Sequence, residues 1–216
     1  MNLLKLSDVT LIQINCTDIE NGLNSIQRCT KNVEFKEVKL ITSELSYNFS
    51  KWNDILYQDL DIIEIPKISS IQDYSKFCIQ ELYKHFDTSH CLICQPDSWV
   101  VKLDAWTDEF LKYDYLGAVW YWLPKPYQGN GGFSLRSKKL QEIAGKSEYL
   151  QKVHPEDGYL STVYNSYFES FGCTWAPFEL CDRFAIESRD WRIHKSFGHH
   201  NGFGLPIINI NIPKNI

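Results

Sequence analysis

Ser70–Asp97 reads SIQDYSKFCIQELYKHFDTSHCLICQPD, and this stretch decides the fold. Tyr74, Phe77, Cys78, Leu82, Tyr83 and Phe86 recur at the 3.6-residue period, which predicts an amphipathic helix over Ser70–Phe86. Asp87-Thr88-Ser89 ends it. His90–Gln95 (HCLICQ) is then a short apolar run of the buried-strand type, and Pro96-Asp97 follows with no linker. A helix feeding a strand with apolar residues on both faces is half of a parallel α/β unit.

Upstream, Val9–Asn15, Val38–Thr42 and Ile62–Ile65 read as further buried strands. Asp18 or Glu20 starts a helix over Asn21–Thr30. The first half is therefore expected to be Rossmann-like and parallel, with ligands at the carboxyl ends of its strands. Asn15 and Thr17, Thr42-Ser43, and Gln95-Pro96-Asp97 are polar strand exits that would share one rim. Downstream the spacing predicts a short helix at Ala105–Leu111, an aromatic strand at Tyr115–Trp122, and helices at Ser137–Ala144 and Glu156–Phe171. Cys173–Pro177 and Phe184–Glu187 read as short strands, and Leu205–Pro213 as an edge strand or loose end. With no repeat and no dividing linker, the expectation is one α/β domain over residues 1–216. It has a parallel first half at about 9–114 and a mixed second half with helices at about 115–204.

Composition narrows the function. A net charge of -5 opposes a general nucleic-acid binder, whose surface would be basic. Seven irregularly spaced cysteines do not form a disulfide framework, and the reducing cytoplasm is the expected compartment. Cys91 and Cys94 have CxxC spacing, but on a strand they point to opposite faces, so they read as core. No run approaches the roughly 20 apolar residues of a membrane span.

The second informative stretch is Tyr127–Gly145, YQGNGGFSLRSKKLQEIAG. Its glycines allow close backbone approach, and Ser134, Arg136 and Ser137 follow beside an expected helix start, a setting suited to an anionic or hydroxyl-rich ligand. Trp120, Tyr121, Trp122 and Tyr127 crowd the approach, either as core or as flat faces for sugar rings. Asp97 could bind a hard cation or a sugar hydroxyl, or simply cap its strand. Glu156-Asp157 could supply a general base or merely complement a helix dipole. Of the adjacent His199 and His200, at most one is expected to enter a site.

Several segments together resemble a known family: DYSKF at 73–77, TSHCLICQPD at 88–97, DAWTDEF at 104–110, YDYLGA at 113–118, GNGGFSLRS at 129–137, HPED at 154–157, Ala176-Pro177, and FGHH at 197–200. This order of motifs is similar to that of a glycosyltransferase-like family of unknown function with the GT-A fold. The resemblance implies a GT-A-like, nucleotide-sugar-dependent transferase (a hexosyltransferase-like enzyme) acting on a glycan, lipid-linked or protein acceptor, with direct displacement driven by an Asp base. It places Asn15, Thr17, Tyr74, Lys76, Gln95, Asp97 and Arg136 around the donor. Trp122, Gly131, Gly132, Phe133 and Ser134 would border sugar and acceptor, with Asp157 as first-choice base and Glu156 beside it. Asp97 and His200 would hold a divalent cation, Mn or Mg. Glutamine stands at 95, where the family's metal motif carries its first carboxylate. Two alternatives remain: a non-catalytic carbohydrate- or nucleotide-binding module on a degenerate transferase fold, and a nucleotidyltransferase.

Overall fold

The computed structural model describes residues 3–121, 126–150, 152–187 and 195–200. Strand β1 spans Leu4–Ile14, helix α1 Ile19–Thr30, strand β2 Val33–Thr42 and strand β3 Asp61–Glu64. Helix α2 follows at Ile71–Gln80, then β4 at His90–Cys94, β5 at Ser98–Val100, β6 at Tyr115–Leu116, β7 at Val119–Trp120 and β8 at Tyr127–Gln128. Strand β9 covers Phe133–Ser137, α3 Lys138–Lys146, the single turn α4 Glu156–Gly158, α5 Asn165–Ser170 and α6 Phe178–Phe184. Strands β10 (Ala185–Glu187) and β11 (Gly198–His200) complete the described elements.

The main sheet runs β3-β2-β1-β4-β9-β6. The first four strands are mutually parallel, and β9 pairs antiparallel with both β4 and β6. It is thus a mixed α/β fold with a parallel-rich central sheet. Both faces are covered, which is why Val9–Ile14 of β1 and the whole of β4 are buried on both sides rather than alternating. Leu11, Leu92 and Cys94 face one core with Leu23 and Ile26 of α1, whereas Ile12, Cys91 and Ile93 face another with Cys78 and Leu82. Cys91 and Cys94 therefore lie on opposite faces, both buried.

Local chemistry sets the helix ends. The Asp18 side chain accepts from the Asn21 amide to open α1, and the Ser70 hydroxyl accepts from the Asp73 amide to open α2. Helix α2 is shorter than the periodicity predicted. It gives way after Gln80 to a 3₁₀ turn over Leu82–His85, which keeps Leu82 buried but tightens the winding.

The second half departs further from expectation. Tyr115–Trp122 is not one strand: β6 joins the main sheet, while β7 pairs with β8 in a separate ribbon. The run expected as a helix at Glu156–Phe171 is α4, a π turn at Tyr159–Val163, and α5. At Cys173–Pro177 only Trp175 makes a bridge, to Tyr115. Ala105–Leu111 resolves into two 3₁₀ turns. Phe184 closes a helix before β10 begins, and β10, β11 and β5 form a small second sheet. The expected tail strand at Leu205–Pro213 lies outside the described residues.

Candidate functional site

In the main sheet the chain proceeds from β1 outward to β2 and β3, then returns to place β4 on the other side of β1. The carboxyl ends of β1 and β4 diverge there, the position at which open α/β sheets bind ligands. A cleft of about 330 Å³ opens at this point, lined by Asn15, Thr17, Ser70, Tyr74, Gln95 and their neighbours. Ser70 and Ile71, at the amino end of the ten-residue α2, form part of its wall.

The polar groups on this rim are already tied down. Asn15 Oδ1 accepts from the Thr17 and Asp18 amides at 3.0 and 2.9 Å, and its Nδ2 donates to the Asp18 carbonyl at 2.7 Å, so it shapes the β1 exit. Thr17 is exposed on the rim. Gln95 Nε2 donates to the Tyr74 hydroxyl at 3.1 Å, and burial raises the Tyr74 pKa well above its ordinary value. Lys76 is exposed on α2 two residues from Tyr74 and does not line the cleft.

From Gln95 a continuous set of contacts leads to the glycine turn. The Gln95 amide donates to the Gly132 carbonyl at 2.9 Å, and Ser98 Oγ donates to the same oxygen at 2.8 Å. Asp97 Oδ1 lies 3.3 Å from His200 Nε2, and Asn130 Nδ2 lies 2.8 Å from His200 Nδ1. The Gly131 amide donates to Asp157 Oδ2 at 2.9 Å, while the Gly158 amide donates to Oδ1 at 2.8 Å. A Cβ at Gly132 would stand 2.3 Å from His200 Nε2, and one at Gly131 would stand 2.4 Å from Glu156 Oε1. These two glycines are needed for close approach to side chains.

Burial pushes the Asp97 carboxyl up, but the hydrogen bond from His200 opposes it, and the pKa lies below its ordinary value. Asp97 suits a hard cation shared with phosphate oxygens. His200 as held offers Asp97 a hydrogen-bond contact, and among the described residues no group of three or more His, Cys, Asp or Glu side chains converges on one point. His199, by contrast, packs its ring against Trp99 at 5.6 Å, so only one of the two imidazoles reaches the rim. The pair sits on strand β11.

Several residues expected at the donor or acceptor lie elsewhere. Arg136 has no exposed surface. It donates to Glu156 Oε1 at 3.2 Å and to Ser134 Oγ at 2.9 Å. Burial works against its charge, but Tyr115 and Glu156 beside it raise its pKa, so it stays a cation. It cannot meet a donor from this position, because strand β9 holds it inside the sheet just before α3, which opens at Ser137 as expected. Phe133 and Ser134, on the same strand, are also fully buried and are closed to a sugar.

Glu156 is buried too. Its other oxygen accepts from Ser75 Oγ at 3.2 Å, and Ser75 also contacts His154 Nδ1 at 2.9 Å. Burial and then the neighbouring Asp157 raise the Glu156 pKa against the opposing pull of Arg136. Glu156 is thus a packed partner of Arg136, and Asp157 is the half-buried member of the pair. Trp122 lies outside the described residues.

Two residues escaped the sequence reading. Asn130 links Gly132, Phe133 and His200, and it has the left-handed backbone (φ 52°) that asparagine tolerates. Glu187, opposite His200 in the β10–β11 register, hydrogen-bonds Asn130 and Trp120. Burial raises its pKa, with His200 opposing. An apolar flank and a short strand gave no local signal for Glu187; only the second sheet brings it to the rim.

Three chains are among the solved structures to which this one is similar. The mannosyltransferase PcManGT from Pyrobaculum calidifontis, solved with GDP-Man and Mn2+, is 14% identical (TM-score 0.42; 64% of this chain, 46% of that one). The glycosyltransferase GlyE of Streptococcus pneumoniae TIGR4 is 13% identical (TM-score 0.44; 74% and 43%). A glycosyltransferase involved in glycosylation of the major capsid of PBCV-1 is 13% identical (TM-score 0.47; 89% and 91%). The chain therefore spans less than half the length of the first two. No curated protein matches it. A family model does match, over residues 35–205, and the chain belongs to that family, described as a protein of unknown function (DUF5672).

Proposed function

We propose that this protein transfers a sugar from a nucleoside-diphosphate sugar to an acceptor hydroxyl. The observation that carries the reading is the unbroken rim from a switch-point cleft to a carboxylate. Gln95 lines the cleft and bonds Gly132, Asp97 meets His200, His200 meets Asn130, and Gly131 meets Asp157. The nucleoside occupies the cleft between Asn15, Thr17, Tyr74 and Gln95, and the amino end of α2 favours the negative charge that follows. The acceptor lies over the second half, on the Asp157 side.

Asp157 takes the proton of the acceptor hydroxyl, whose oxygen attacks the anomeric carbon. The bond from that carbon to the diphosphate breaks, and its electron pair leaves with the diphosphate. Asp157 is held by two backbone amides, so its orientation is set before substrate arrives. A divalent cation carried by Asp97 and the donor's phosphates would neutralise the charge that builds on the leaving group.

The test is calorimetric binding of a panel of nucleoside-diphosphate sugars, followed by turnover with glycan, lipid-linked or protein acceptors. Absence of binding by every donor would sink the proposal. The glutamine at 95 favours one other reading, a module that binds such ligands without turning them over. Asp157→Asn separates the two: a transferase loses turnover and keeps donor binding, whereas a module turns nothing over even unmutated.

A further inference from the structure

We infer that Asn130 holds His200 as the neutral imidazole with its proton on Nε2, making His200 a hydrogen-bond donor beside Asp97 and not a ligand to a cation. The Asn130 amide is oriented by its partners. Its Oδ1 accepts from the Gly132 amide at 3.0 Å and the Phe133 amide at 3.4 Å, both obligate donors. Its Nδ2 then points away from them, towards the Glu187 carboxylate and His200 Nδ1. Backbone donors on one side and a carboxylate on the other leave the amide one orientation.

An amide nitrogen has only protons to offer, so His200 Nδ1 must supply a lone pair. In a neutral imidazole the proton then sits on Nε2, where Asp97 Oδ1 receives it at 3.3 Å. A metal bound at Nε2 would need that nitrogen's lone pair and would move the proton to Nδ1, directly against the Asn130 N–H. Metal-ligating histidines use the opposite arrangement, with the remote N–H given to an acceptor. The Asp97 contact is long enough for the Nε2–H to share its hydrogen bond with, or turn it toward, an anion seated beside Asp97. Under the transferase reading, on which this last step alone rests, that anion is the departing diphosphate.

The tautomer is measured on the full chain labelled with ¹⁵N-histidine, by long-range proton–nitrogen correlation at neutral pH. The His200 signals are identified by their loss in His200→Gln. Nε2 is expected to be of the protonated type and Nδ1 of the lone-pair type, unchanged on adding Zn²⁺. Asn130→Asp, which places an acceptor against Nδ1 and keeps a residue tolerant of the left-handed backbone, is expected to reverse the pattern and make His200 respond to Zn²⁺. A wild-type His200 protonated at Nδ1, Zn²⁺ bound at its Nε2, or a folded Asn130→Asp that keeps the Nε2 proton would each overturn the inference.

The wild-type spectrum stands even if the variant does not fold. The donor role is read separately from binding of a nucleoside diphosphate. His200→Ala should weaken it about 10-fold, the loss of one hydrogen bond to a charged group, and His200→Gln should restore much of it because its amide still donates. Equal loss in both variants would refute the donor role while leaving the tautomer result intact.

Discussion

Two carboxylates now compete for one chemical role. Asp157 and Glu187 approach the glycine turn through different partners, Asp157 through the Gly131 amide and Glu187 through Asn130. If Asp157 is the base, Asp157→Asn should reduce kcat by at least about 100-fold, the scale of general-base catalysis, with donor affinity kept. Glu187→Gln should then change kcat far less. A larger loss in Glu187→Gln would move the role to Glu187. Deeper in, Arg136 and Glu156 form a buried ion pair at 3.2 Å. Removing one charge strands the other, so Arg136→Met should cost about 3–5 kcal/mol in denaturant unfolding. The double change Arg136→Met with Glu156→Gln should recover part of that.

At the scale of elements, the carboxyl ends of β1 and β4 and the amino end of α2 make the cleft, so its shape depends on how α2 starts. The Ser70 hydroxyl accepts from the Asp73 amide at 3.1 Å and donates to the Asp73 carboxylate at 2.8 Å. Ser70→Ala should cost about 1 kcal/mol in thermal or chemical unfolding and loosen the cleft wall, seen as weaker nucleotide binding. The elements that Ser70–Asp97 announced are present because periodicity and capping are local properties. The helix still stops short at Gln80, and the 3₁₀ turn over Leu82–His85 carries Leu82 into the core instead. The GNGGFSLRS stretch shows the reverse case. Its helix opens at Ser137 as the spacing predicts, but pairing with β4 and β6 draws Phe133–Ser137 into the sheet and buries Arg136.

Across the whole molecule, the site depends on the small second sheet being docked against the main one. Strand β11 carries His200 to Asp97, and β10 carries Glu187 to Asn130. Burial, first among the causes, holds the Glu187 pKa above its ordinary 4.5. The folded state therefore binds its proton more tightly than the unfolded state does. Its contribution to stability is complete below pH 4.5 and is lost as pH rises through the folded value. Glu187→Gln removes this dependence, so its stability relative to wild type should improve from pH 4 to pH 7 in parallel denaturation series. A constant difference across that range would count against the packing of β10 on the rim.

The order of buried strands and helices in the first half, the polar strand exits at Asn15, Gln95 and Asp97, and the mixed α/β class were written in the sequence. Each follows from the period of apolar residues and from capping chemistry acting over a few neighbours. Only the tertiary structure decided that Arg136, Phe133 and Ser134 are core, that Glu156 is spent on Arg136, and that Asn130 and Glu187 stand at the rim. Those outcomes depend on which strands pair and which charges find partners across distances of tens of residues. Such pairings are chosen by the packed whole, because a buried charge must be matched wherever its partner lies in the chain.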